Sequence, residues 1–343
     1  MELDAALRGV DYQAYVEDGD RPLPQSSSPE VVAHVLAALE TTPGMAVLEV
    51  GTGSGYSAAL LSYLVGDAGR VVSIDVDPVL TARAEGLLRA DGRSNVSLAT
   101  GDARRAMPVA GPYDRMVVWA TADAIPGEWV AALHGGGRIV APVQLAPLEG
   151  AAPVACIALH NGEPHTVRFT WGSFIPLTEA PVRDFAALAA RRGDVRRDEA
   201  AGTAWLSAPW LRAASSDLRR RLEALLTGLR PGPELLQPPE RPEDLWWFLV
   251  ATAPRGLTAA GIPASGATFG HGGPDGLALL RRGPGEGAGR CLIAGNAMRS
   301  VLQLQGWIRT WQARGRPGLG QLEGTCRWDE GACAWRVAAT VRA

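Results

Sequence analysis

The stretch VLEVGTGSGYSAALL (residues 47–61) decides the fold. An apolar run ends at Val50, glycines follow at 51, 53 and 55, and a second apolar stretch with helix-like character begins near Tyr56. Glycine lets a backbone turn tightly and approach a ligand with no Cβ in the way. The first amides of the helix behind such a turn have no intrahelical partner. Turns of this kind, at the carboxyl ends of parallel strands, are where open α/β sheets bind nucleotide-like ligands. Tight strand-to-helix turns also occur without any ligand.

Outward from this turn, strand-like and helix-like runs alternate. Strands are expected at 45–50, 70–75, 95–99, 114–120 and 137–143, with helices over GYSAALLSYLV and PVLTARAEGLLRA. Alternation of this kind implies a parallel sheet covered by helices. Two β-like runs flank Asn161-Gly162, a hairpin signal. Upstream, SSSPEVVAHVLAALE reads as a helix with Pro29 in its first turn and a serine cap before it. SSPE also fits a capping box from Ser27 to Glu30. Residues 1–28 otherwise read as polar and turn-rich.

Two strand ends beyond the turn carry acids. Asp75 closes the second strand, 24 residues after Gly51, an interval that suits a ribose diol. Asp102 closes the third, where an adenine amino group would find an acceptor. Each acid alone reads as an ordinary cap; together, at successive strand ends, they favour a cofactor site. Glu49 adds a carboxylate beside the loop, which suits a cationic ligand better than a pyrophosphate. The GxGxG spacing also departs from the dinucleotide GxGxxG. These features favour S-adenosylmethionine over a nicotinamide dinucleotide.

The blocks VLEVGTGSGYSAALLSYL, RVVSIDVDP, GDARRAMP, PYDRMVVWATADAIP and GGGRIVAPV, in that order, resemble the protein-L-isoaspartate O-methyltransferase family, as do SSSPEVVAHVL upstream and the closing strand GSFIPLT downstream. The resemblance covers about residues 12–178. It implies an α/β fold, a class I S-adenosylmethionine methyltransferase (Rossmann-like) sheet, to which the Asn161-Gly162 signal adds a closing antiparallel hairpin; the remaining length and the shift in composition add the expectation of a smaller C-terminal α+β domain. It implies that Gly51, Gly53 and Gly55 hold the methionine part of the donor, Asp75 the ribose and Asp102 the adenine, with Glu49, Thr52, Val76 and Ala103 in the same set. Ser27 would sit beside the substrate carboxylate, with Ser26, Ser28, Trp119 and Thr121 on the substrate side. Two departures are evident: the family's N-terminal helical region is largely absent, and Glu30 follows Pro29 where an aromatic residue or histidine is common.

Residues 179–343 form a second domain in this reading, after the 1–178 methyltransferase domain. Residues 180–230 look helical, 229–244 is a proline-rich connector, and most of the eleven tryptophans lie in this half. EDLWWFLVATAPRGL and IRTWQARGRPGLGQL resemble the C-terminal region of actinobacterial relatives that act on ribosomally made peptides of the lasso, lanthipeptide or graspetide kind. That implies a peptide-recognition domain, with Trp246, Trp247, Trp307 and Trp311 as candidates. It also implies methylation of an aspartate side chain, collapsing to aspartimide and onward to isoaspartate. The alternatives are repair of isoaspartyl proteins and a non-catalytic peptide- or cofactor-binding protein.

Bulk properties narrow the partners. The net charge of −3 gives no global basic field for nucleic acid, although Arg191-Arg192, Arg196-Arg197, Arg219-Arg220-Arg221 and Arg281-Arg282 cluster locally. Four cysteines without a CxxC pair, and five scattered histidines, suggest no metal site. An acidic start without a long apolar run argues against a signal peptide. The expectation is a cytoplasmic, monomeric enzyme acting on a peptide, with no nucleic-acid or membrane partner.

Overall fold

In a computed structural model, Ala46–Val50 is β1, Arg70–Asp75 is β2, Val96–Thr100 is β3, Tyr113–Val118 is β4, Leu133–Pro142 is β5, Val154–His160 is β6 and Glu163–Thr170 is β7. The structure describes residues 2–18, 21–24, 26–105, 111–185, 193–263, 265–283, 285 and 287–342. Contacts divide the chain into two units: Met1–Gln144, Pro153–Phe185 and Gly324–Ala338, and then Leu145–Ala152, Ala186–Glu323 and Ala339–Ala343.

In the first unit the strands run β3-β2-β1-β4-β5-β6-β7, and the sheet continues past β7 with Leu322–Asp329, Ala334–Val341 and Ile125–Pro126. Pairings are parallel from β3 through β5 and antiparallel through β6 and β7. The order reverses at β1, so β1 and β4 flank a switch point, where α/β sheets open a crevice. Val47, Val71, Val117 and Val140 from the strands pack with Leu36, Leu60, Leu61 and Leu88 from the helices as one core. The hairpin between β6 and β7 turns at Asn161 and Gly162, both at positive φ, as a type I′ turn requires.

The N-terminal reading is corrected. Glu2–Gly9 and Tyr12–Val16 are helices, the second capped by Asp11, whose side chain accepts from the Gln13 amide at 3.0 Å. Ala6, Val10 and Tyr15 are buried in the core. Leu3, Ala6, Leu7 and Val10 have the spacing of one helical face, which the polar residues between them mask.

The second unit holds a seven-stranded antiparallel sheet ordered Val195–Glu199, Gly202–Ser207, Leu257–Ile262, Gly266–Gly273, Gly276–Arg281, Arg290–Gly295 and Arg230–Glu234. Helices Ser216–Thr227, Pro242–Thr252 and Met298–Ala313 accompany it. Two sequence expectations change here. Within 180–230, residues 195–207 form an edge hairpin: Val195, Ala204 and Leu206 turn inward, Arg197 shares their face and is partly buried, and Arg196 and Asp198 face out. Within the proline-rich 229–244, Arg230–Glu234 is an edge strand, where proline's missing N–H does no harm. The Arg191-Arg192 doublet lies outside the described residues.

The division of the chain also differs from a cut at 178/179. Residues 324–338 return to the first unit, where Gly324 pairs with Val167 of β7. A side chain at 324 would meet the Val167 Cγ1 at 2.3 Å, so glycine permits that approach. Trp246, Trp247 and Trp311 are buried, and so they serve as core rather than as an exposed recognition face; Trp307 is partly exposed beside His271. No described helix is long and apolar enough to cross a membrane.

Candidate active site

The loop after β1 folds as its glycines require. Gly51, Gly53 and Gly55 all have positive φ, and the Gly51 amide donates to the Ile74 carbonyl of β2 at 2.7 Å. Gly55 caps helix Tyr56–Val65 with no side-chain acceptor, and a Cβ there would lie 2.9 Å from the Ala84 Cβ. Beside Gly53 there is open space, as a ligand-facing turn needs. Its amide donates to Asp75 Oδ2 at 2.9 Å, and Asp75 Oδ1 accepts from the Asp77 amide at 2.9 Å. Burial, together with the charge of Asp77, holds the Asp75 carboxyl above its ordinary range despite these bonds.

These elements wall a cleft of about 370 Å³. That is within the roughly 300–1,000 Å³ of small-molecule sites. Gly51, Thr52, Gly53, Asp75, Val76, Asp102, Ala103, Ser26, Ser27 and Trp119 all line it, so most of the expected set converges on one crevice. Asp102 lines the cleft but is clamped by Arg104, whose Nε and one terminal nitrogen each donate at 2.9 Å. That guanidinium holds the Asp102 carboxyl below its ordinary range. Gly55 does not face the cleft itself; it sets the helix start behind the loop.

Three expectations are corrected. Glu49 does not reach the cleft: it is fully buried beneath the loop, because the alternation of β1 turns its side chain inward. Ser28, rather than Ser27, is the helix cap, with its Oγ accepting from the Val31 amide at 3.5 Å. Pro29 at the first helical position fixes that assignment, so the capping box from Ser27 to Glu30 is not formed. Ser28 is therefore absent from the cleft lining, as is Thr121. Thr121 instead pairs through its backbone with Ile175 and Leu177 at 2.8 Å each, and its hydroxyl donates to the Phe174 carbonyl at 3.0 Å. GSFIPLT accordingly forms a bridge at Pro176 rather than a closing strand.

Several lining residues were not among the expected site residues. Phe174–Thr178 forms one wall, continued by Pro181, Val182 and Phe185. Arg183 bonds Asp77 at 2.7 and 3.0 Å and ties this segment to the end of β2. A salt bridge 106 residues apart in sequence is invisible to local pattern. Ser26 Oγ is buried with no hydrogen-bond partner among the described residues. An unpaired hydroxyl facing a cleft is poised to meet a ligand oxygen. No group of three or more histidine, cysteine or acidic residues able to hold a metal occurs among the described residues.

The donor set fits an adenosyl-sulfonium molecule. The start of helix Tyr56–Val65 and an open loop lie at one side. Asp75 keeps lone pairs beyond its two loop bonds, which suits a diol. Ile74, Val76, Leu80 and Ala103 offer apolar contact for a flat base. A group whose negative charge matched a pyrophosphate would face Asp75 and Asp102 instead.

The protein-L-isoaspartate(D-aspartate) O-methyltransferase family model matches residues 10–180. The chain is 43% identical over 168 residues to the protein-L-isoaspartate O-methyltransferase of Anaeromyxobacter dehalogenans, covering 47% of this chain and 78% of that protein. It is 42% identical over 133 residues to that of Ignicoccus hospitalis, covering 37% of this chain and 63% of that protein, just under two thirds of its length. A solved protein-L-isoaspartate O-methyltransferase aligns over 100% of this chain and 95% of its own, with a TM-score of 0.50 and 19% identity, a likeness of fold that extends through both units. On these grounds the chain belongs to the protein-L-isoaspartate(D-aspartate) O-methyltransferase family, carboxyl O-methyltransferases that use S-adenosylmethionine.

Proposed function

We propose that the protein methylates the free carboxylate of isoaspartyl residues in peptides, with S-adenosylmethionine as donor. The observation that carries this reading is the convergence of the glycine loop, Asp75 and the Ser26–Ser27 segment on one cleft. The names of the relatives support isoaspartate as the acceptor. A solved isoaspartate methyltransferase aligns along the whole chain, so the presence of a second unit does not by itself favour an aspartate of a ribosomally made peptide as the acceptor.

In this reading Gly51, Thr52 and Gly53 hold the methionine part, Asp75 and Val76 the ribose, and Asp102 and Ala103 the adenine. When bound, the donor supplies an electrophilic methyl on a sulfonium. The acceptor carboxylate is already ionised at neutral pH, so no protein group has to remove a proton. The protein's work is orientation and exclusion of water. Ser26 and Ser27 present hydroxyls to one carboxylate oxygen, leaving the other to face the methyl. Val31, Val32, Trp119 and Phe174 make the acceptor side apolar. Correct in-line placement is worth roughly 7–11 kcal/mol in favourable intramolecular models. Once esterified, the peptide closes to a succinimide by attack of its own backbone nitrogen.

The test is mass spectrometry after incubation with donor and three peptides: one isoaspartyl, one of the same sequence with ordinary aspartate, and one constrained aspartyl peptide. The expected result is methyl gain and then methanol loss on the isoaspartyl peptide alone. Methylation of either aspartyl peptide with the isoaspartyl one untouched overturns the proposal.

A further inference from the structure

Glu49 is a fully buried acid of the first unit. Its side chain has no exposure, and it lies behind the cleft rather than in it. A buried carboxyl persists only where donors satisfy it. Here three do, from three different elements. Ser57 Oγ of the loop helix donates to Oε1 at 2.5 Å, Ser73 Oγ of β2 to Oε2 at 2.6 Å, and Trp119 Nε1, just past β4, to Oε1 at 2.8 Å. Thr52 extends the chain, with its hydroxyl 2.6 Å from Ser73 Oγ. Of these partners Trp119, Thr52 and Ser57 line the cleft directly. The Trp119 indole stands 5.9 Å from the Phe174 ring, and its Cβ lies 3.3 Å from where a Gly51 side chain would begin. Its backbone amide is fixed by Val50 at 2.9 Å, so the remaining freedom is rotation of the ring. The bond to Glu49 removes that rotation.

We propose that Glu49 is a positioning residue that locks the Trp119 indole as the acceptor-side wall of the cleft, and so sets how an acceptor peptide seats. This rests on the methyltransferase reading above. The carboxylate forms no bond to the acceptor or donor. It acts through the ring, which in turn limits where the chain next to the reacting carboxylate can lie. Ser57 and Ser73 hold the carboxylate itself in register with the glycine loop, coupling the acceptor wall to the donor loop.

The experiment compares wild type, Glu49→Gln, Trp119→Phe and the double variant, with steady-state kinetics on an isoaspartyl peptide, calorimetric affinity for S-adenosylhomocysteine, and the indole N–H resonance of Trp119 in 15N-labelled protein. Exchanging the carboxyl for an amide, or removing the indole N–H, weakens the ring's anchor and predicts a peptide KM raised about tenfold in each single variant. It also predicts homocysteine-adduct affinity within about twofold, and a double variant no worse than Trp119→Phe alone. In Glu49→Gln the indole resonance moves and its proton exchanges faster. An unchanged resonance with unchanged KM overturns the proposal, and so does an affinity loss as large as the KM change, which would make Glu49 a donor-site residue. If Glu49→Gln fails to fold, Trp119→Phe decides: a wild-type KM overturns it. A wild type inert on the isoaspartyl peptide counts against the function alone, because the indole resonance still reports the coupling.

Discussion

Trp119 of the first unit and the tryptophan cluster of the second are used in opposite ways. In the first, Trp119 stands at a strand end, with one face on the cleft and its N–H on Glu49. In the second, the richer aromatic cluster is packed internally, and the buried Trp246 Nε1 finds no hydrogen-bond partner among the described residues. Arg282 lies 5.0 Å from the ring centres of both Trp246 and Trp247 and bonds Glu243 at 2.8 and 3.0 Å. Trp247 donates to Glu243 at 2.9 Å, and Trp311 to the Pro317 carbonyl at 3.1 Å. A cluster of tryptophan and arginine thus says little about recognition. Position at the carboxyl end of a parallel strand says more, because that is where backbone groups are left open to a ligand.

The sharpest way to break this contrast is Trp311→Ala. Removing a large, fully buried ring should cost about 3–5 kcal/mol of stability in denaturant unfolding, with donor affinity of the folded fraction unchanged. Full stability with peptide methylation lost would return the second unit to recognition. Asp75→Ala should leave a stable first unit and weaken donor binding on the order of 100-fold by calorimetry, the loss of two hydrogen bonds to a charged acceptor. Unchanged affinity removes Asp75 from the site.

Glu49 sharpens the comparison through pH. Burial pushes its carboxyl up to about 7, above its ordinary 4.5. Its neutral form therefore suits the fold. That contribution is complete below pH 4.5 and is lost as pH rises through 7. Between those limits wild type should lose on the order of 3 kcal/mol that Glu49→Gln keeps. Parallel stability curves for the two proteins would contradict the burial. The smallest effects separate the adjacent serines. Ser28→Ala should cost about 1 kcal/mol, the usual worth of a helix cap, with turnover of the folded enzyme kept. Ser27→Ala should leave stability within about 0.5 kcal/mol and slow turnover with donor affinity retained. Wild-type turnover in Ser27→Ala would leave the carboxylate to Ser26.

Most of the first unit was legible because its signals are local. Gly51, Gly53 and Gly55 mark a turn, Asp75 falls at a fixed interval, and Asn161-Gly162 makes a hairpin, each from a few neighbouring residues. What was missed depends on contacts distant in sequence. Whether Glu49 faces the cleft or the interior is decided by the pleat of β1 against Ser57, Ser73 and Trp119. Thr121 is set by the segment at 174–177, and Arg183 by Asp77. In the second unit, Arg230–Glu234 reads as a linker from its prolines, yet pairs with Arg290–Gly295 as an edge. Gly324 gives no hint that its strand returns to β7.

A crystal structure with S-adenosylhomocysteine tests the central claim most directly. The account predicts the molecule in the cleft between the ends of β1, β2 and β4, its ribose diol within hydrogen-bond reach of Asp75 and its sulfur facing Ser26, Ser27 and Trp119. A cleft left closed by its own side chains, or the molecule bound elsewhere, contradicts it.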